Sequence, residues 1–462
     1  MNSPSTVRRI SECFIKPPIP SNDSIPAICY LSPWDIFMLS SHYIQKGLLF
    51  LKPSPHNHPL FIDSLLNRLK RSLSLTLLHF YPLTGRLVTT PLPSYSVFVD
   101  CHNSDGARFI YATLDMTVSQ ILSPVDVPSV TQSFFDHDRA VNHDGHTLPL
   151  LSVQVTELID GVFIGCSMNH CLADGTSYWK FFNAWSEIFR PLEGEKFDSD
   201  GVCIPISQPP IHNRWFPEGV GPLIKLPYKH HDEFIGRLEA PPLRERIFHF
   251  TAESIAKLKA KANRESNTTN ISSFQSLSAL VWKCITRARS PPRDQRTSCW
   301  LAANNRSRIQ PPLPEEYFGN CVHALAAETT SGELLEHDLG WAAWKLHAAV
   351  ANHDSKAVDE LVNKLLESPI VVQPGQFFDL YSVLMGSSPR FNMYANEFGM
   401  GKAVGVRSGY ANKFDGKVTS YPGREGGGSI DLEMCLSPVL MTALESDEEF
   451  MNSVSPGTCW TS

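Results

Sequence analysis

The segment His170-Cys171-Leu172-Ala173-Asp174-Gly175 places a titratable ring, a carboxylate and a glycine at short, fixed spacing. A histidine ring changes charge near neutral pH, so it can take a proton from a hydroxyl or amine and return it to a leaving group. The carboxylate of Asp174 can brace such a ring or cap a helix. Gly175 permits a positive φ or a close backbone approach. Residue types alone fit two readings: a catalytic turn, or a structural one with His170 hydrogen-bonded in place and Asp174 as an N-cap.

The elements that must aim these side chains lie on either side. Val153 and Val155 alternate with Ser152, Gln154 and Thr156, and Asp160-Gly161 signals a hairpin turn. Val162 to Cys166 is then the return strand. After Gly175, residues Tyr178, Phe181, Phe182, Trp185, Ile188 and Phe189 recur at helical spacing, which predicts an amphipathic helix on a core. His170–Gly175 therefore links a buried strand to a buried helix, where rigid elements hold side chains in position.

Further along the chain, Leu31–Asp35 reads as a turn feeding a helix. Ile62, Leu65, Leu66, Leu69 and Leu73 form a helical stripe that Pro82 and Gly85 break. Tyr95–Tyr111 alternates around Asn103-Ser104-Asp105-Gly106, a turn between strands. Between 192 and 245, Pro205, Pro209, Pro210, Pro217 and Pro222 interrupt any period, which predicts a crossover draped over the surface. A second set follows: a helix from Ala252 with Thr251 as N-cap, another from Phe274 to Ala288, and a glycine-punctuated, strand-rich end. The expected division is an N-terminal domain over 1–195, a linker over 196–245 and a C-terminal domain over 246–462.

At 462 residues the chain exceeds a typical single core. Its net charge of −7 and the absence of a basic run argue against nucleic acid as a partner. No apolar run reaches spanning length, and Arg8-Arg9 is not followed by an apolar segment of the signal-peptide kind, so neither a membrane span nor a secretory leader is expected. The eleven cysteines show no CxxC or Cys/His ligand spacing; they predict no metal site and fit reduced thiols in the cytoplasm.

Four segments in order resemble the BAHD acyl-CoA-dependent acyltransferases of plants: Phe80-Tyr81-Pro82-Leu83-Thr84-Gly85-Arg86-Leu87, His170–Gly175, Arg306-Ser307-Arg308 with Tyr317-Phe318-Gly319-Asn320, and Glu397-Phe398-Gly399-Met400-Gly401. The resemblance implies an α/β protein of two similar-sized, chloramphenicol-acetyltransferase-like domains, with the active-site channel between them. It implies acyl transfer from acyl-CoA, a co-substrate and not a bound cofactor, to a hydroxyl or amine of a small-molecule acceptor. His170 is then the general base, Cys171 a bystander, and Asp174 a structural carboxylate whose partner is expected to be Arg306. A monomer is also implied.

The fourth segment departs from the family's Asp-Phe-Gly-Trp-Gly. Glu397 keeps the charge on a longer arm, within expected reach of Arg390, while Met400 lacks an indole N–H that could help hold an oxyanion. Glu397, Gly399, Met400 and Gly401 are accordingly expected beside the channel. Lys402, and the helix start carrying Ser254 and Lys257, are candidate positions for CoA phosphate. Two alternatives share the fold: a CoA-independent lyase of the salicylate-pathway type, and an accessory protein without catalysis.

Overall fold

The computed structural model describes residues 6–18, 26–53, 61–90, 95–102, 105–192, 204–237, 239–373, 375 and 379–455. Asn103 and Ser104 of the expected turn lie outside the described residues.

The first half begins with β1 (Arg8–Ile15), β2 (Ile28–Tyr30), α1 (Pro33–Phe37), β3 (Ile44–Leu51) and α2 (Phe61–His79). It continues through β4 (Arg86–Thr89), β5 (Val97–Asp100), β6 (Ala107–Thr113), α3 (Val118–Leu122), β7 (Leu151–Glu157), β8 (Gly161–Met168) and α4 (Gly175–Phe189). The second half runs β9 (Arg244–Phe250), α5 (Ala252–Glu265), α6 (Ser273–Arg289), β10 (Arg296–Asn304) and β11 (Val322–Thr330). After α7 (Ser331–Glu336), α8 (Leu339–Ala351) and α9 (Ser355–Glu367) come β12 (Ser382–Ser387), β13 (Gly405–Ser408), β14 (Lys417–Pro422) and β15 (Ile430–Leu436).

Two six-stranded mixed sheets organise the protein, one in the order β1-β6-β7-β8-β3-β13 and the other β11-β10-β12-β14-β15-β9. A small antiparallel sheet, β2-β5-β4, stands beside the first. Strands β5 and β6 flank the expected turn within 95–111 but do not pair with each other: β5 pairs in the small sheet, while β6 pairs with β1 and β7.

Burial of β8 on both faces explains its near-continuous apolar sequence. Ile164 and Cys166 face a core shared with Leu69, Leu73 and Leu77 of α2 and with Phe181, Trp185 and Ile188 of α4. On the other face, Phe163 joins Leu49, Phe134 and Phe135. Burying each such side chain contributes about 1.5–3 kcal/mol. The Trp185 indole donates to Ser72 Oγ at 2.9 Å, so its N–H is satisfied inside the core. The second core packs α5, α6 and α8 on the other sheet.

Sheet membership does not follow chain order throughout. β13 comes from the second half yet pairs antiparallel with β3, Gly405 opposite Leu49 and Ser408 opposite Lys46. Nor does the crossover lie only on the surface. Ile206, Ile224, Leu226 and Phe234 are buried in the first core, and the Arg214 side chain is enclosed. These apolar residues anchor an irregular segment that no periodicity announces.

Candidate active site

Strand pairing ends at Met168, and side-chain amides take over the backbone groups of the next residues. Asn169 Oδ1 accepts from the Cys171 N–H at 3.0 Å, and Asn169 Nδ2 donates to the Asn142 carbonyl at 2.8 Å. The His170 N–H donates to Asn142 Oδ1 at 2.7 Å. Asn142 is itself held by a bond from Nδ2 to the Met38 carbonyl at 2.7 Å. The His170 backbone is thus fixed from two sides before its ring makes any contact.

Asn320 determines the chemistry of that ring. Its Nδ2 donates to Asp35 Oδ1 at 2.8 Å and to the His170 carbonyl at 2.6 Å. Both partners are pure acceptors, so the amide has only one workable orientation. Its Oδ1 then faces His170 Nδ1 at 3.1 Å, which must carry the proton. Nε2 keeps its lone pair, and among the described residues nothing hydrogen-bonds it. Burial lowers the pKa of His170; Asp174 and Asn320 oppose this in part, and the charge of Lys417 adds to the lowering. The ring is neutral at neutral pH, in the tautomer of a base.

Asp174 serves α4 twice. Its Oδ1 accepts from the Ser177 N–H at 2.9 Å, an N-cap, and it receives both guanidinium nitrogens of Arg306, at 2.7 and 3.1 Å. The Cys321 N–H adds a bond at 3.0 Å. Burial alone would raise the pKa of this carboxyl, but Arg306 and the backbone donors outweigh it and hold it below the usual carboxylate value. Ser177 Oγ extends the clasp, donating to the Gly319 carbonyl at 2.9 Å and accepting from the Gly319 N–H at 3.0 Å. Gly175 answers to close approach: a Cβ there would lie 3.0 Å from the Phe391 ring. Burial pushes the Cys171 thiol pKa well up, so it is no thiolate nucleophile.

Arg214 of the crossover joins these parts from behind. It donates to Asp35 Oδ2 at 2.8 Å, to the Leu172 carbonyl at 3.2 Å and to the Phe318 carbonyl. A Cβ on Gly319 would approach this guanidinium to 3.1 Å, which accounts for the glycine. Asp35 in turn caps α1, accepting from Ser32 N–H at 2.8 Å.

His170 opens into a cavity of about 410 Å³ between the two large sheets. Its first wall includes Met38, Gln45, Lys46, Gly175 and Trp179, and its second Asn304, His323, Leu384, Phe391, Lys417 and Thr419. The size suits a small organic ligand.

The fourth sequence segment is not part of this wall. Glu397, Gly399, Met400 and Gly401 are absent from the cavity lining. The reason is Phe398, which is buried among Phe50, Phe182, Trp185 and Phe189 and ties the loop to the first core. Glu397 is exposed and forms no ion pair with Arg390; Ser186 Oγ instead holds its backbone N–H and carbonyl at 2.9 and 3.0 Å. Lys402 donates to the Arg424 carbonyl at 2.6 Å and lies over the Tyr394 ring. Ser254 Oγ meets Ser455 Oγ at 3.0 Å, and Lys257 pairs with Glu253 on the exposed face of α5. None of these three lines the His170 cavity.

Arg214, Lys46 and Lys417 escaped the sequence reading, Asp35 was read only as the end of the turn Leu31–Asp35, and Asn320 only as part of Tyr317–Asn320. A signal existed for Asp35, since Ser32-Pro33-Trp34-Asp35 is a capping-box pattern.

Comparison with known proteins shows the family and the fold. A model of the Transferase family matches residues 6–451. An uncharacterized acetyltransferase of Arabidopsis thaliana is 34% identical, covering 96% of this chain and 98% of the relative. The Arabidopsis BAHD acyltransferase DCR is 32% identical over 92% of this chain and 88% of its own. The chain belongs to the BAHD acyltransferase family. Its fold matches the crystal structure of F. graminearum TRI101 complexed with coenzyme A and T-2 mycotoxin, with a TM-score of 0.69, 17% identity, and 92% of this chain and 98% of that one covered. As in the rest of the family, the expected chemistry is that of an acyltransferase, and no described helix is long and apolar enough to cross a membrane.

Proposed function

We propose that this chain transfers an acyl group from an acyl-CoA thioester to a hydroxyl or amine of a small-molecule plant metabolite, with His170 as general base. The observation that carries this reading is the Asp35–Asn320–His170 relay, which leaves a lone pair on Nε2 inside the cavity between the sheets. His170 Nε2 takes the acceptor's proton as its oxygen or nitrogen attacks the thioester carbonyl. Collapse of the tetrahedral species breaks the C–S bond, and the imidazolium returns the proton to the departing thiolate. Asp174 and Arg306 serve as braces that hold the turn. A donor for the developing oxyanion belongs among the polar groups lining the cavity, since Met400 lies elsewhere. The coenzyme A in the TRI101 complex supports an acyl-CoA donor. Residues of one chain line both walls, so a monomer suffices, and the reaction fits the cytoplasm, where buried free thiols stay reduced.

The test is release of free CoA thiol from a panel of acyl-CoA donors offered with hydroxylated and amino acceptors, products being read by mass spectrometry. His170→Ala should lower kcat by about 10²–10⁴. Equal turnover by His170→Ala and the unaltered protein would remove the general base. Coenzyme A should raise the melting temperature by mass action; turnover of a conjugate with no response to CoA would instead favour elimination without CoA.

A further inference from the structure

Three lysines line the His170 cavity, and the reaction as derived uses none of them; Lys413 is paired with Glu245 and Glu433, which leaves Lys417 and Lys46. Lys417, at the start of β14, makes no hydrogen bond or ion pair through its ammonium among the described residues. The fold makes room for that ammonium at Gly386 of β12, where a Cβ would lie 2.2 Å from Lys417 Nζ. Lys46 of β3 reaches the same cavity from the first sheet. Among the described residues its ammonium has one hydrogen-bond partner, the neutral phenol Tyr421 Oη at 3.0 Å, and it also lies over that ring.

The acidic groups nearby are engaged elsewhere. Glu433 receives Ser408 Oγ, Tyr421 Oη at 3.2 Å and the ammonium of Lys413 at 3.7 Å. Glu245 binds Lys413 at 2.5 Å. Arg407, another enclosed cation, donates to the Val406 and Ile121 carbonyls. The region therefore encloses more positive than negative charge, and the excess sits on the cavity side. Burial pushes Lys46 and Lys417 down to about 8; the charge of Glu433 opposes this at both, while Lys413 adds to the lowering of Lys46 and Lys46 adds to that of Lys417.

Leaving a buried cation without an acceptor costs stability unless a ligand supplies one. We infer that Lys417 and Lys46 form a carboxylate subsite, so that the molecule acylated or the acyl group itself carries a carboxylate held opposite His170. CoA phosphates do not fit this role, because a full pantetheine arm separates them from the thioester that must reach His170. What the bound acid then undergoes rests on the acyl-transfer reading; the subsite itself is tested by binding alone.

The full chain is incubated with two sets of matched compounds, and retained molecules are identified by mass spectrometry. One set pairs hydroxy acids with their methyl esters; the other pairs malonyl-CoA with acetyl-CoA. The subsite predicts that the acid is retained about tenfold or more over its neutral partner in one set, which tells acceptor from donor. Lys417→Gln should abolish that preference, and Lys417→Met should melt at the same or a higher temperature, since a costly buried charge is gone. Equal retention, or retention of neither member in both sets, overturns the inference. So does a preference that survives Lys417→Gln, or a melting temperature that falls in Lys417→Met. Acid retention without acyl transfer would refute the transfer reading alone. Transfer to neutral acceptors without acid preference would refute this inference alone.

Discussion

Asn320→Leu is the sharpest probe of the proposed base, because it keeps the approximate shape of the side chain and deletes its polar atoms. Three bonds go: the acceptor for His170 Nδ1–H at 3.1 Å, and the donors to the His170 carbonyl at 2.6 Å and to Asp35 at 2.8 Å. Asp35 keeps the Arg214 guanidinium at 2.8 Å and the Asn320 backbone N–H at 3.0 Å, so the variant should still fold. A buried imidazole N–H left without an acceptor costs about 1–3 kcal/mol. The ring escapes that cost by turning or by moving its proton to Nε2, and either change removes the base. At about 1.4 kcal/mol per tenfold, kcat/KM should fall about 5- to 150-fold. The fall should appear mainly in kcat, since Asn320 touches the ring and not the cavity. The deciding measurement is the double variant. With His170→Ala already in place, Asn320→Leu should alter the residual rate by less than about twofold, because it acts only through the ring. If Asn320→Leu costs as much without the imidazole as with it, or nothing in either background, the tautomer argument fails.

Asp174→Asn turns an amide nitrogen toward Arg306 and the Cys321 N–H, both donors, and strands a buried guanidinium. Chemical denaturation should show a loss of about 3–5 kcal/mol, and the double change with Arg306→Gln should cost less than the sum of the two; strict additivity would mean the pair is not coupled. Because the folded carboxyl has a depressed pKa, its contribution to stability is present above the ordinary carboxylate range and is lost as pH falls through the folded value. The pH profile of kcat/KM should be flat near neutrality and fall on an acidic limb below about 6.5, the ordinary histidine value, since burial lowers the pKa of His170 and the base works only when neutral; a limb at or above that value would contradict the assignment. Met400→Trp should change kcat/KM by no more than about twofold, because Met400 does not line the cavity, whereas Phe398→Ala should cost about 3–5 kcal/mol of stability by emptying the aromatic cluster beneath the loop.

Much of the local structure was legible in the chain. The strand before His170, the amphipathic helix after Gly175 and the caps at Asp174 and Thr251 follow from side-chain periodicity and from which side chains can satisfy free N–H groups. These are interactions among near neighbours, so a linear reading captures them. The family's segments brought His170, Asp174 and Arg306 forward for the same reason: each keeps its residue types in a short, recognisable pattern. Motif order was a poorer guide to the loop at Glu397–Gly401, where the burial of Phe398 turns residues expected at the channel away from it.

Only the tertiary structure decided which nitrogen of His170 is free. That depends on an asparagine 150 positions away, oriented by a carboxylate another 285 positions from it. It also placed β13 in the first sheet, carried Arg214 from an aperiodic crossover into the centre, and set Lys46 and Lys417 in the same cavity. The physical reason is common to all of these. Helix and strand periods report how a residue meets its own segment, whereas the partner of a buried charge or amide is chosen by whichever distant backbone the fold brings within hydrogen-bonding range.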